Sequence, residues 1–260
     1  MKKLLIVSLL LVLTGSMGNA QLGRRTRRGS SGATSNAATG PGMAQEPCSP
    51  SIHRIADCPD QGCGGSFDAN LNHQKNIRTD DQAATDKSIK DLADLPDPVQ
   101  GFKKGDTREK LTALGEGQKI RVVAFALVAR KGSSETCNCH LTTPKDTDNH
   151  IVLVDPSLRR PTLARSEPNS QTAEFTPRVR LDHPKLAGAK LQSLITGAAN
   201  HALKVRVTGL LMFDSEHSLG HHLKRHNNWE IHPVMGLEYC PKNRTCADGS
   251  DANWKNLDSP

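Results

Sequence analysis

The stretch Lys185-Leu186-Ala187-Gly188-Ala189-Lys190-Leu191-Gln192-Ser193-Leu194-Ile195-Thr196 decides the fold. Leu186, Leu191, Leu194 and Ile195 fall on one helical stripe, and Gly197 supplies a stop. The segments on either side read as strands. Upstream, Lys119 to Val128 is β-branched and apolar, and it runs on to Lys131-Gly132 as a long strand. A polar loop leads to a second strand, His150 to Asp155, closed by Pro156. The third is Thr172 to Arg180, where Ala173, Phe175 and Val179 alternate with Glu174, Thr176, Arg178 and Arg180, the pattern of a strand with one buried and one wet face. Downstream lie Lys204 to Phe213 and Glu230 to Tyr239. A helix between the third and fourth of five strands is the arrangement of the OB-fold barrel. The fold class expected is therefore mainly β, a five-stranded OB-fold-like barrel over 118–240, with a small β-sandwich as the competing architecture.

N-terminal to the barrel, residues 79–117 form a linker in which Ala84, Ile89, Leu92 and Leu95 predict a helix over 80–95, stopped by Pro96 and Pro98. Residues 48–78 hold three cysteines and Gly62, Gly64 and Gly65, the composition of a small disulfide-stapled cap. Residues 21–47 are Gly, Ser, Ala, Thr and Arg, too poor in apolar surface to offset chain entropy. Residues 1–20 join Lys2-Lys3, an apolar run from Leu4 to Leu13, and a small-residue ending at Ala20, the plan of a secretory signal. The run is too short to span a bilayer. The expectation is a secreted or periplasmic protein, cleaved near Ala20, with no transmembrane anchor. Residues 241–260 form a C-terminal tail.

The net charge of +7 is unevenly placed: Lys2 and Lys3 carry 2, and 21–47 a net 3 from Arg24, Arg25, Arg27 and Arg28 against Glu46, which leaves 2 for the rest. That basic leader could touch polyanions weakly through counterion release, while the folded body is nearly neutral. Two tryptophans, one tyrosine and five phenylalanines leave few rings on which bases could stack. Seven cysteines in an exported chain imply disulfides and at least one left over. Cys240 with Cys246 is the favoured pair, across a short loop with Pro241 and Asn243. A bridge between Cys137 and Cys139 would be strained, which points both toward Cys48, Cys58 and Cys63.

In an OB-fold, ligands meet the barrel at strands two and three and at the loops joining strands one to two and four to five. Here these loops are 131–149, with Cys137, Cys139, His140, Asp146 and Asp148, and 214–229, with Asp214, His217, Lys224, Arg225 and Trp229. Glu230 and His232, two apart on a strand, share a face, and imidazole with carboxylate is a zinc or transition-metal set. Asp148, His150, Asp214, His217, Glu230 and His232 are thus the candidate ligands of a divalent metal, and Arg225 and Trp229 the candidate ligand-binding residues. The alternative is structural: Asp148 and Asp214 capping turns, His150 and His232 bonding at the barrel edge, and Trp229 plugging the core. No Gly-x-Ser-x-Gly elbow, His-Glu-x-x-His helix or phosphate-binding glycine loop is present. The function classes left open are an exported binding or structural module, or a metal-dependent hydrolase acting on phosphodiesters.

The pieces Glu135-Thr136-Cys137-Asn138-Cys139, Asp148 to Leu153, Val207-Thr208-Gly209 and Trp229-Glu230-Ile231-His232-Pro233-Val234 resemble a group of exported bacterial proteins of uncharacterised function, over about half of the mature chain. The resemblance implies a recurring barrel unit and carries no activity. In topology alone the chain also looks distantly like secreted nucleases of the staphylococcal type, whose arginine and carboxylate catalytic set has no counterpart at these positions.

Overall fold

Alternating apolar side chains from five strands meet in one core, and that alternation closes the sheet on itself. A computed structural model describes residues 47–259 apart from 66, 79–80, 99–101, 103–104 and 218–223. The expected signal and the basic leader with Arg24, Arg25, Arg27 and Arg28 lie outside the described residues. The strands are β1 (Thr85–Lys87), β2 (Lys119–Lys131), β3 (Asn149–Val154), β4 (Gln171–Phe175), β5 (Leu203–Phe213), β6 (Trp229–Tyr239) and β7 (Lys255–Asn256). The helices are α1 (Ala69–Lys75), α2 (Ile89–Ala93), α3 (Glu109–Thr112), α4 (Leu163–Ser166), α5 (Val179–Asp182) and α6 (Gly188–Gly197).

Strands β2, β3, β4, β6 and β5 pair in that order, and β5 returns to β2, so the expected five-stranded barrel is closed. β2 can serve both ends because it is long and curled. It pairs with β5 from Lys119 to Ala126 and with β3 from Phe125 to Lys131, across a register shift between Ala126 and Val128. Ile120, Val122, Ile151, Leu153, Phe175, Val207, Phe213, Trp229 and Ile231 fill the interior, and α6 packs Leu191 and Ile195 against them. Each such side chain contributes roughly 1.5–3 kcal/mol by leaving water. Leu257, beyond β6, also reaches this core, and β7 pairs with the end of β6.

Two expectations are corrected here. The third strand, read as Thr172 to Arg180, ends at Phe175. Pro177 has no N–H for the ladder. Arg178 instead donates to the Cys58 and Pro59 carbonyls, and Arg180 folds back onto Asn149 Oδ1 and the Phe175 carbonyl. The helix read over 80–95 is confined to α2, because Ser88 and Asp91 form a capping box that starts it, and Thr85–Lys87 extend β2's edge as a parallel strand.

Residues 47–78 form a cap bound to the barrel by sulfur and hydrogen bonds. Cys48 pairs with Cys63 inside it, Cys58 reaches Cys139 in the 131–149 loop, and Cys240 pairs with Cys246 as expected. Gly62 lies at the contact, with positive φ, and a Cβ there would stand 2.2 Å from the Thr136 carbonyl oxygen. Only glycine allows so close an approach. Among the described residues no helix is long and apolar enough to cross a membrane.

Candidate metal centre

Because successive side chains of a strand face opposite ways, the residues between the core positions point outward. On β3 this is His150, on β4 Glu174, and on β6 Glu230 and His232. Register then aligns them. His150 lies opposite Glu174 in the antiparallel β3–β4 pair, and the parallel β4–β6 pair, Thr172 with Glu230 and Ala173 with Ile231, carries Glu174 to His232. A row of imidazole, carboxylate and imidazole thus crosses three adjacent strands.

An outward row on a barrel ordinarily faces water. Here the cap and the 131–149 loop cover it, and the reading of Glu174 as a wet residue is overturned: it is 4 % exposed. The loop brings Glu135, Cys137 and Asp148 over the row, and α1 brings Lys75. The loop is held by Asn76 Nδ2 donating to the Cys137 carbonyl (2.9 Å), by Asn72 Nδ2 donating to Thr136 Oγ1 (3.1 Å), and by Gly132 N donating to the Asp148 carbonyl (2.7 Å).

The donor atoms converge. Asp148, Glu174 and His232 each offer an atom within 4.8 Å of the others', as do Glu135, His150 and Glu174, and as do Glu135, Cys137 and Asp148. The three groups share their carboxylates. His232 Nδ1 lies 3.4 Å from Glu174 Oε2 and 3.5 Å from Glu230 Oε2, and His150 Nε2 lies 3.4 Å from Glu174 Oε1. Yet both oxygens of Asp148, both ring nitrogens of His232, Glu174 Oε2 and His150 Nε2 are buried without a hydrogen bond to protein. Such separations without hydrogen-bond geometry match the edge of a tetrahedron around zinc, about 3.3 Å for donors about 2.05 Å from the ion.

Electrostatics divides the carboxylates. Burial alone would raise Glu135, but Lys75, whose Nζ donates to Glu135 Oε2 at 2.8 Å, holds it down at about 2. Burial, with the Glu135 charge nearby, pushes Asp148 up to about 7. Burial also raises Glu174, although His232 opposes it. Burial lowers His150, against the pull of Glu135 and Asp148, which favours the neutral imidazole that ligates metals. Lys75 thus balances Glu135, while burial favours the protonated forms of Asp148 and Glu174.

The other expected ligands are placed beside this cluster and are engaged with one another. Asp214 Oδ2 accepts from His217 Nδ1 (2.7 Å) and Arg225 Nη2 (2.9 Å), and Oδ1 accepts from Glu216 N in a turn. Arg225 Nη1 pairs with Glu230 Oε1. Asp214, His217, Arg225 and Glu230 therefore form a closed ion-pair set that backs the centre through Glu230 and His232. Of the six metal residues expected, Asp148, His150 and His232 present unpaired donor atoms. Asp214, His217 and Glu230 are spent on these ion pairs, and Arg225 is held among three partners rather than offered to a ligand. Trp229, expected at a ligand, is fully buried in the core, edge-on to Phe213, and donates Nε1 to the Pro96 carbonyl. Glu174, Glu135, Cys137 and Lys75 were not anticipated. The signal for Glu174 was its position directly opposite His150, legible only once the register is known.

The centre meets the outside at one edge. His150, whose side chain is 40 % exposed, borders a cleft of 220 Å³ whose walls include Arg130, Glu167, Thr172, Lys224 and Arg225. Larger clefts of 720 and 580 Å³ lie elsewhere and include none of the converging donors. Comparison with protein-family models, curated proteins and solved structures finds no match to the chain.

Proposed function

We propose that this protein is an exported module that binds one divalent transition-metal ion, with zinc as the best fit, through Asp148, Glu174 and His232, supplemented by His150 and Glu135. The observation that carries the reading is the set of buried, mutually close oxygen and nitrogen atoms that no protein group satisfies. A buried polar atom left unpaired costs about 1–3 kcal/mol, more when charged, so unpaired atoms on Asp148, Glu174 and His232, residues whose donors lie within 4.8 Å of one another, call for a cation. Mixed imidazole and carboxylate donors suit zinc and its first-row neighbours. Export is supported by the three disulfides and by the Lys2-Lys3, apolar-run and Ala20 plan of the N-terminus. Elemental analysis of the purified chain, followed by zinc titration after chelation, tests it. One equivalent is expected, with Glu174→Gln and His232→Ala each weakening binding at least about tenfold. No bound metal, with both substitutions changing only thermal stability, would refute it.

A second reading, a metal-dependent phosphodiester hydrolase, is favoured by the contact of His150 with both the centre and a cleft bearing Arg130 and Lys224. Metal-stimulated cleavage of bis(p-nitrophenyl) phosphate, lost in Lys224→Ala with zinc affinity intact, is its measurement.

A further inference from the structure

Six of the seven cysteines are in disulfides, and Cys137 alone is a thiol. A buried free cysteine is ordinarily a small apolar filler. Cys137 is not placed as one. It is 1 % exposed yet belongs to neither apolar cluster, and its Sγ faces Glu135 Oε2 at 3.4 Å. With Glu135 and Asp148 it forms one of the convergent donor groups. Asp148 supplies the independent pointer to a ligand: it is 1 % exposed, both of its oxygens lack a partner, and it is common to the Cys137 group and the His232 group.

We propose that Cys137 is a thiolate ligand of the centre, joined to the His232 side through Asp148, and that its sulfur makes the site select a thiophilic ion of the zinc class against magnesium, calcium and manganese. Soft thiolate donors sharpen this discrimination beyond what imidazole mixed with carboxylate provides. On binding, the S–H bond breaks with both electrons staying on sulfur as the metal–sulfur bond forms. The proton is released to solvent. Metal and proton therefore compete for the same sulfur atom.

This inference rests on the metal-binding reading, and cobalt(II) separates the two. The full chain, with its disulfides intact, is stripped by chelation and titrated anaerobically with cobalt(II). Visible d–d absorption reports binding at the centre, and a near-ultraviolet charge-transfer band reports a cobalt–thiolate bond. Both are expected in the wild type, and the near-ultraviolet band alone should vanish in Cys137→Ser, with zinc affinity reduced at least about tenfold. The wild-type spectrum needs no variant to fold. Visible absorption without the charge-transfer band overturns the thiolate ligand and leaves the metal-binding reading standing. Persistence of the band in Cys137→Ser also overturns it. Absence of any cobalt absorption overturns both. Zinc, but not a large excess of magnesium or calcium, should displace the cobalt; displacement by magnesium would overturn the selectivity.

Discussion

Replacing Asp148 by asparagine should stabilise the metal-free protein while abolishing its affinity for metal. Neither oxygen of Asp148 makes a hydrogen bond, so the near-isosteric amide forfeits no protein contact. Burial and the Glu135 charge raise its carboxyl to about 7 in the folded chain, against about 3.9 unfolded. The folded state therefore binds this proton more tightly than the unfolded state. The cost of ionising Asp148 is absent below about pH 4, grows through the window up to about 7, and is complete above it. At about 1.4 kcal/mol per pH unit, that is on the order of 4 kcal/mol at pH 8. Burying an amide without partners returns about 1 kcal/mol or more. Asp148→Asn with chelator should thus exceed the wild type by about 3 kcal/mol at pH 8 and fall level with it, or slightly below, at pH 4. Urea unfolding with disulfides intact measures both. With saturating zinc the order should invert, because occupancy at a thousand times Kd adds about 4 kcal/mol to the wild type alone. A variant destabilised equally at both pH values would mean that Asp148 is an ordinary structural side chain, and the reasoning would fail.

Two further outcomes follow from the same geometry. Lys75→Met strands the buried Glu135 carboxylate, so it should cost about 3–5 kcal/mol in metal-free unfolding, and Lys75→Met/Glu135→Gln should recover most of that, because a buried pair is dearer broken than absent. Cys58→Ser opens a cross-link between residues 81 apart; it should cost about 4 kcal/mol in denaturant unfolding, and it should weaken zinc binding in calorimetry because the loop bearing Glu135, Cys137 and Asp148 loses its tether.

What could be read from residues alone follows from how side chains alternate. Five strand-like segments and one helical stripe between the third and fourth define a closed barrel, and Asp148, His150 and His232 all come close to Glu174. Alternation assigns a side chain to a face but says nothing of what covers that face. Glu174 shows the difference: its outward position was legible, whereas its burial beneath a cap some hundred residues earlier in the chain was not. Cys137 was hidden by its own chemistry, since a cysteine beside Cys139 in a cystine-bearing protein invites pairing before ligation. Asp214 and His217 carry the right atoms for a metal, yet they pair with each other, and Arg225 joins Asp214 to Glu230. Trp229 begins a strand whose alternation turns it inward, into the core.

The bridge from Cys58 to Cys139 has a bearing on how the protein matures. The barrel supplies only the floor of the centre, and half of the donors hang from a loop that this bridge straps down. Until the two sulfurs are joined, the ceiling is held by hydrogen bonds and the Lys75–Glu135 pair alone. On the metal-binding reading, oxidation is therefore the step that arms the site: a chain still in a reducing environment lacks the clasp, and capture of its ion is timed to follow pairing of its thiols.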